Sequence, residues 1–218
     1  MKIVIFDTET TGLPKARNSP IHGPNNWPHL VSISWVVLDS DTNEIIKKRN
    51  YIIEPMNWLI PADSTKIHGI TTEHAIQYGT DLYLAMDEFI NEECDMLVAH
   101  NIEFDINVIV SAALWDLKIQ FPPIVPKQIC TMKLGRDLCM IPGMYGKYKY
   151  PKLKEFYYHV FKKTPDETQL HNSLYDVLIL TEIVQTYLPL RQAMGLVARS
   201  VPILSDGVQK DRTLHFNF

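Results

Sequence analysis

Apolar and polar positions along the chain alternate in ways typical of strands at first and of helices later. The continuous apolar run at 2–6 is typical of a strand that is buried on both faces. Segments 30–38 and 45–53 predict two more strands, joined by a polar turn at 39–43. Residues 96–99 predict a short fourth strand. Hairpin-linked strands followed by alternating strand and helix favour a mixed sheet with helices on both faces.

The helical segments lie mainly in the second half of the chain, where apolar residues recur at helical spacing. After a short helical region that follows Pro61, the pattern predicts helices over 71–75, 81–91, 106–117, 131–139, 153–161 and 173–187. The proline-rich segment 14–28 predicts a long surface loop. Apart from the helix at 131–139, segment 119–151 predicts irregular structure because it is rich in proline and glycine.

Composition places the chain among ordinary globular proteins. Its 218 residues are 46% apolar and 21% charged, which suits one well-packed domain. No apolar run approaches the roughly 20 residues that a membrane-spanning helix needs, so we expect no membrane association. The three cysteines lack a CxxC pair, which argues against a zinc site or a disulfide framework. We therefore expect a reducing intracellular location, either cytoplasmic or nuclear.

Pairs of acidic residues are the first indication of chemistry. Asp7 and Glu9 follow the first apolar run, and side chains at i and i+2 of an extended chain project to one side. Crowded carboxylates are unfavourable unless cations neutralise them, and oxygen donors of this kind suit Mg²⁺ or Mn²⁺. Taken alone, the pair is better explained as an acidic turn after a strand.

Two later segments add further polar groups. Asp105 precedes an apolar helix, where a carboxylate could simply favour the helix dipole. His171 and Asp176 flank the start of another predicted helix, which Asn172 or Ser173 could cap. Each segment alone has such an ordinary structural explanation, and only the three together in order suggest a shared site.

Taken together, four segments resemble the DnaQ-like family of 3′–5′ exonucleases, in the subgroup called DEDDh. The order DxE…D…HxxxxD is the pattern of that subgroup. The resemblance extends from about residue 2 to about residue 188, and its motifs are FDTETTGL at 6–13, IHGIT at 67–71, AHNIEFD at 99–105 and HNSLYD at 171–176. We interpret 1–188 as the exonuclease domain and 189–218 as a C-terminal extension. The sequence leaves open whether this extension packs on the domain or mediates a homodimer.

The resemblance implies an RNase H-like three-layer α/β fold, with a central mixed five-stranded sheet flanked by helices. It also implies two Mg²⁺ or Mn²⁺ ions held by Asp7, Glu9, Asp105 and Asp176. Asp7 would bridge the ions, and His171 would be the general base for the attacking water. Histidine titrates near neutral pH, which suits that task.

Six other positions are implied to contact the terminal nucleotides of the substrate. They are Thr10, Gly12, Leu13, His68, Asn101 and Phe104. Each has a structural alternative: Gly12 as a turn residue, Leu13 and Phe104 as core, and His68 and Asn101 as stabilisers of turns. The chain departs from the family at Ser32, where Gln or Glu is usual, and at Cys130, where Asp is usual.

Substrate and partners follow less directly from the sequence. The net charge is −4, yet 127–163 has nine Lys or Arg and two acidic residues, interleaved with tyrosines that suit a strand-binding rim. We expect single-stranded 3′ ends of DNA or RNA as substrate, with proofreading or repair of DNA favoured over RNA trimming. A polymerase or another replication or repair protein is a potential partner. A non-catalytic nucleic-acid-binding module associated with a polymerase is the alternative of another class.

Overall fold

A computed structural model of the chain describes residues 1–16, 18–119 and 126–197. In these ranges the strands, in chain order, are β1 (Lys2–Thr10), β2 (Leu30–Asp39), β3 (Ile45–Ile52), β4 (Met96–Ala99) and β5 (Lys127–Cys130). They form one sheet in the order β3-β2-β1-β4-β5. The first three strands are antiparallel to one another, whereas β4 is parallel to β1 and β5 to β4. The sheet is therefore mixed and five-stranded, as predicted.

Helices cover both faces of the sheet. In chain order they are α1 (Ala62–His68), α2 (Thr72–Tyr78), α3 (Leu82–Ile90), α4 (Ile102–Ser111), α5 (Thr131–Cys139), α6 (Leu153–Phe161), α7 (Ser173–Thr186) and α8 (Leu188–Met194). Val4 and Phe6 of β1 pack in one core cluster with α3 and α4. Ile3 and Ile5 pack in a second cluster with α6, α7 and α8. The two-residue period of the strand thus assigns neighbouring side chains to opposite layers, which confirms the predicted fold class.

Strand β1 is longer than the predicted strand at 2–6, because it includes the acidic residues that were expected to follow it. Its pairing with β2 continues from Lys2, opposite Asp39, to Thr10, opposite Leu30, with an irregularity after Glu9. The two carboxylates of β1 are therefore held by a paired strand rather than by a free turn.

Two predictions in the middle of the chain were wrong. Helix α4 begins at Ile102 rather than at 106, because Ile102 is itself buried in the core. Strand β5 lies within the segment predicted as irregular apart from its helix. This strand has only four residues at the edge of the sheet, and its exposed Lys127 and Gln128 give it no apolar run.

The end of the described chain packs on the domain. In α8, Leu190 and Met194 are fully buried in the same cluster as α7. Arg191 donates hydrogen bonds to Asn43 Oδ1 at 2.8 Å and to the carbonyl of Ser40 at 3.3 Å, in the turn between β2 and β3. The predicted extension at 189–218 begins inside this helix, and its residues 198–218 lie outside the described part of the chain.

Among the described helices, none is both long enough and apolar enough to cross a membrane.

Candidate active site

Three of the four predicted acidic ligands converge at one point. One carboxylate oxygen from each of Asp7, Glu9 and Asp176 lies within 4.8 Å of the other two. Asp7 and Glu9 point to the same side of β1 because they are two residues apart in an extended strand. Asp176 reaches them from the first turn of α7, which packs across β1 and β2.

The start of α7 positions His171 as well as Asp176. The side chain of Asn172 caps the helix by accepting hydrogen bonds from the amides of Leu174 and Tyr175. His171 has a φ of 65°, so the chain turns sharply just before the cap. Its amide donates to Asp176 Oδ2 at 3.3 Å, and its side chain remains exposed beside the acidic cluster.

Asp105 is held somewhat apart from these three carboxylates. It is buried in α4, and its Oδ1 accepts hydrogen bonds from the Thr8 hydroxyl at 2.7 Å and from the Thr8 amide at 3.1 Å. Thr8 lies on β1 between the two acidic residues and faces the opposite side of the strand. No pattern in the sequence indicated this contact, since the partners are 97 residues apart.

The electrostatics of the cluster strongly favour proton or cation binding. Burial, followed by the charges of Asp176 and Asp105, raises the pKa of Glu9 to about 9. Burial raises the pKa of Asp176 to about 7 and that of Asp105 to about 7, while the hydrogen bonds from Thr8 partly oppose the rise at Asp105. Asp7 also has a raised pKa, first through burial and then through the charges of its three acidic neighbours.

The carboxylate cluster fits divalent cations by its donor chemistry. Within the described residues, the buried Oδ1 of Asp176 has no hydrogen-bond partner, so a strong acceptor is left unused beside two other carboxylates. Hard cations that prefer oxygen ligands, such as Mg²⁺ and Mn²⁺, would satisfy this oxygen and favour the charged carboxylates.

The predicted substrate residues on β1 lie next to the acidic cluster. The hydroxyl of Thr10 donates to the carbonyl of Gly12 at 2.7 Å, which forms a tight turn after the strand. Gly12 has a φ of 148°, a conformation that favours glycine, so its structural role as a turn residue holds. Leu13 is 82% exposed, which rules out the alternative that it belongs to the core.

His68 closes another side of this region. Its Nδ1 accepts a hydrogen bond from the amide of Ile70 at 3.2 Å, which supports its structural alternative as a turn stabiliser. Its Nε2 is buried and has no partner among the described residues. Burial lowers the pKa of His68, the backbone of Thr10 partly opposes this shift, and proximity to His171 lowers the pKa slightly further. Two histidines thus lie on the same side of the site.

Asn101 and Phe104 are at the start of α4. Asn101 adopts a left-handed conformation with a φ of 85°, and its side chain makes no cap hydrogen bond. It is the backbone carbonyl of Asn101 that accepts from the amide of Phe104, at 2.8 Å. Phe104 is half-buried and contacts Trp27, with ring centroids 5.9 Å apart. Phe104 also packs against the core cluster of α3 and α4, which supports its structural alternative as a core residue.

A cavity of about 760 Å³ opens beside these side chains. Leu13, Asn101 and Phe104 line it together with Lys15, Trp27, Lys133 and Tyr150. Lys133 and Tyr150 belong to the basic, tyrosine-containing stretch at 127–163 that the sequence indicated as a strand-binding rim. The sequence did not indicate Lys15 and Trp27, because they come from the proline-rich loop.

A buried cluster of serines joins β2 to α7 directly after His171. Ser173 Oγ lies 3.0 Å from Ser32 Oγ and 2.8 Å from Ser34 Oγ. All three side chains are buried. The departure from the family at Ser32 therefore lies under the helix start that carries His171, where a Gln or Glu side chain would need more room than a serine.

Comparison with known proteins agrees with this arrangement. The model of the exonuclease family (RNase_T) matches residues 4–184. The epsilon subunit of DNA polymerase III from Buchnera aphidicola subsp. Schizaphis graminum (strain Sg) is 30% identical over 143 residues. The match covers 65% of this chain and 58% of that relative, so the chain spans less than two thirds of the length of the subunit.

Solved structures share the fold at low sequence identity. The nuclease domain of 3′hExo, a DEDDh family member bound to rAMP, is similar with a TM-score of 0.63 at 16% identity, covering 89% of this chain and 93% of that one. Exonuclease I of E. coli, in complex with a dT13 oligonucleotide, is similar with a TM-score of 0.63 at 14% identity, covering 89% and 42%.

The chain belongs to the exonuclease (RNase_T) family, whose model matches most of its length. The predicted family and the class of enzyme that it defines are thereby confirmed.

Proposed function

We propose that the chain is a metal-dependent 3′–5′ exonuclease that hydrolyses the terminal phosphodiester bond of a nucleic-acid strand and releases nucleoside 5′-monophosphates. One observation carries the proposal: the carboxylates of Asp7, Glu9 and Asp176 lie within 4.8 Å of one another in a chain of the exonuclease family. Such a cluster of buried acids is unfavourable without cations, so its existence calls for a chemical explanation.

The metal ligands of this proposal are Asp7, Glu9, Asp105 and Asp176. Two divalent ions, when bound there, stabilise charge on the attacking and leaving oxygens. Asp7 would be a ligand of both ions, because it faces Glu9 and Asp176 and because the charge of Asp105 also raises its pKa. Thr8 fixes the orientation of Asp105 through two hydrogen bonds.

His171 is the general base in this mechanism. Its side chain is exposed at the edge of the cluster, so it can accept the proton of a water molecule that attacks the terminal phosphate. The hydrogen bond from its amide to Asp176 keeps the histidine backbone beside that carboxylate. Thr10, Gly12, Leu13, His68, Asn101 and Phe104 would hold the terminal nucleotides, with Leu13 exposed as a wedge between the last bases.

DNA is the favoured substrate polymer. The curated relative is a subunit of a DNA polymerase, which supports a proofreading or repair role. RNA trimming is the second candidate, because one similar structure concerns recognition of a histone mRNA stem-loop by a 3′-exonuclease. Partnership with a polymerase is part of the DNA proposal and rests on the same relative. Homodimer formation remains a prediction from the sequence alone.

The test uses 5′-labelled single-stranded DNA and RNA of equal sequence and length, incubated with Mg²⁺, Mn²⁺ or EDTA. We expect a ladder that shortens by one nucleotide at a time with either metal and no cleavage in EDTA. Faster cleavage of DNA would support the proofreading or repair role, whereas faster cleavage of RNA would support the trimming role. The released product should be a nucleoside 5′-monophosphate.

Two controls separate the alternatives. A 3′-phosphorylated strand should resist digestion if the enzyme requires a free 3′ hydroxyl end. Asp7→Asn should abolish cleavage while leaving the protein folded. Strands that remain intact with every metal but shift on a native gel would instead support a non-catalytic binding module and contradict the proposed activity.

A further inference from the structure

An ordered hairpin with exposed aromatic side chains projects between α5 and α6. This tyrosine hairpin, residues 141–150, is closed by hydrogen bonds from the Gly143 amide to the Lys147 carbonyl at 2.8 Å and from the Lys149 amide to the Ile141 carbonyl at 3.0 Å. A side chain at Gly143 would meet the Lys147 carbonyl oxygen at 2.8 Å, so only glycine allows this close approach. The hairpin is therefore a defined structure rather than a loose loop.

Three tyrosines in this hairpin face solvent. Tyr145 at the tip is 94% exposed, and Tyr148 and Tyr150 are 49% and 48% exposed. Large aromatic side chains that are exposed together are costly unless they bind something. Neither of the two core clusters that hold the domain together includes these tyrosines.

The hairpin connects directly with the substrate cavity. Tyr150 lines the same cavity of about 760 Å³ as Leu13, Asn101 and Phe104. The guanidinium carbon of Arg136 lies 5.8 Å from the centroid of the Tyr150 ring, which braces the ring from α5. Tyr150 therefore belongs both to the hairpin and to the cavity that the residues proposed for the terminal nucleotides line.

The base of the hairpin is tied to the segment that carries Asp105. His100 Nε2 lies 2.9 Å from the carbonyl oxygen of Pro151, and Nδ1 lies 3.1 Å from the Thr131 hydroxyl. Burial lowers the pKa of His100 to about 4, so the ring is neutral at physiological pH and acts as a hydrogen-bonding bridge. Since His100 immediately precedes Asn101, the hairpin is fixed relative to the active site.

The charges around the hairpin suit a polyanion. Lys147 and Lys152 form no ion pair within the described residues, and Lys15 on the opposite wall of the cavity forms none there either. Lys133 and Lys149 are paired with Glu103 and Glu155, so their contribution is smaller. Lysines and exposed aromatic rings side by side are the combination that binds single-stranded nucleic acid without sequence preference.

We propose that the tyrosine hairpin binds the single strand upstream of the terminal nucleotides, with bases stacked on Tyr148 and Tyr150 and the phosphates near Lys147 and Lys152. This inference rests on the proposed exonuclease function and deepens it, because it makes a single-stranded 3′ segment several nucleotides long the preferred substrate. The shared chemistry of DNA and RNA, a π face and a phosphate for each nucleotide, suits both polymers.

The test compares substrates that reach the hairpin with substrates that do not. A 20-nucleotide oligothymidylate and a dinucleotide of thymidine are digested in parallel, and the same pair is prepared as oligouridylate. For Tyr148→Ala/Tyr150→Ala, we expect kcat/KM on the long strands to fall about 10-fold or more, mainly through KM. For Tyr148→Ala alone, we expect the rate on the dinucleotides to change less than about 2-fold, since such a short substrate occupies only the terminal sites and Tyr148 does not line the cavity around them.

Tyr83→Ala is the matched control, because Tyr83 is 52% exposed on α3 and does not line the cavity of about 760 Å³. It should leave both rates unchanged. An equal loss on long and short substrates would overturn the proposal, as would unchanged activity on the long strands. A loss only for DNA or only for RNA would identify the polymer that the hairpin recognises.

Binding measured without catalysis keeps this inference separate from the proposed activity. In EDTA, fluorescence anisotropy of a 5′-labelled 20-nucleotide strand should show about 10-fold weaker binding for the double variant than for the unaltered protein. If the unaltered protein binds in this way but cleaves nothing with any metal, the exonuclease proposal fails and the hairpin proposal stands. Equal binding by both proteins would refute the hairpin proposal.

Discussion

Thr8 donates two hydrogen bonds to Asp105 Oδ1, from its hydroxyl at 2.7 Å and its amide at 3.1 Å. Only the hydroxyl bond depends on the type of residue at position 8. This pair connects β1 to α4 behind the acidic cluster, on the face of the strand opposite Asp7 and Glu9. Thr8, which lies between the two acidic residues of β1, thus holds one of the proposed metal ligands in place.

Thr8→Val should weaken divalent-metal binding while the fold is retained. The valine side chain has nearly the same shape as that of threonine but cannot donate to Asp105, although the backbone amide still can. Loss of a partner behind a metal ligand typically costs about 10- to 100-fold in affinity or activity. The measurement is the Mg²⁺ concentration required for half-maximal cleavage. Thr8→Ser retains the hydroxyl and should restore most of the loss; a serine variant as poor as valine would argue against the hydrogen bond.

His171→Ala should lower kcat by about 10²–10⁴-fold, the usual contribution of a general base. Metal binding should persist, because the four carboxylates remain and the hydrogen bond to Asp176 comes from the backbone amide at position 171. Single-turnover cleavage and calorimetric titration with Mn²⁺ measure the two effects separately. His22→Ala, an exposed histidine in the loop after β1, serves as the control. Near-normal turnover in His171→Ala would remove this residue from the mechanism.

Without metal, the protein should become less stable as the pH rises from about 6 to about 9. In the folded state the pKa of Glu9 is about 9 and those of Asp105 and Asp176 are about 7, above the values near 4 expected in the unfolded chain. The folded state therefore binds protons more tightly, and its advantage is lost as the pH rises through these values. In EDTA, Tm should fall by several °C over this range.

Mg²⁺ should reverse that loss, with a larger rise in Tm at pH 9 than at pH 6, because ions and protons compete for the same carboxylates. Glu9→Gln provides the matched control. It removes the group with a pKa of about 9, so the decrease of Tm in EDTA should become shallower and the response to Mg²⁺ smaller. A pH-independent Tm in EDTA would contradict the electrostatic description of the site.

Ser173→Ala should lower the free energy of unfolding by about 1–2 kcal/mol, because the buried hydroxyl of Ser32 would lose its side-chain partner. Ser34 keeps a hydrogen bond to Asn50 Oδ1 at 2.8 Å and should matter less. Denaturant unfolding of Ser32→Ala, Ser173→Ala and the double variant forms a thermodynamic cycle. If the losses in unfolding free energy of the two single variants sum to that of the double variant, there is no interaction energy between Ser32 and Ser173.

Much of the fold, and the side of β1 on which the paired carboxylates lie, could be predicted from the sequence because they depend on local periodicity. The apolar run that starts β1, the two-residue spacing of Asp7 and Glu9, and the helix over Thr131–Cys139 are all properties of short segments. The family motifs then joined segments that periodicity alone could not connect. Convergence of Asp176 on the β1 carboxylates was the decisive expectation, and their separation of at most 4.8 Å agrees with it.

Other features depend on contacts between distant segments and could not be predicted. Strand β5 has four residues and no apolar run, so its identity comes from pairing with β4. The cavity wall formed by Trp27 comes from a segment that appeared only as loop. Ser173 meets Ser32 across 141 positions of sequence, and no local pattern of hydroxyl residues indicates such a pair.

Helix α8 limits how far the chain can be truncated from its C-terminal side. The family match stops at residue 184, but Leu190 and Met194 complete a core layer, and Arg191 clamps the turn at Ser40 and Asn43. A version that stops at 188 would expose the apolar side chains that Leu190 and Met194 cover, and we expect it to self-associate or precipitate. Shortened versions should therefore end no earlier than Gly195, where the helix itself ends.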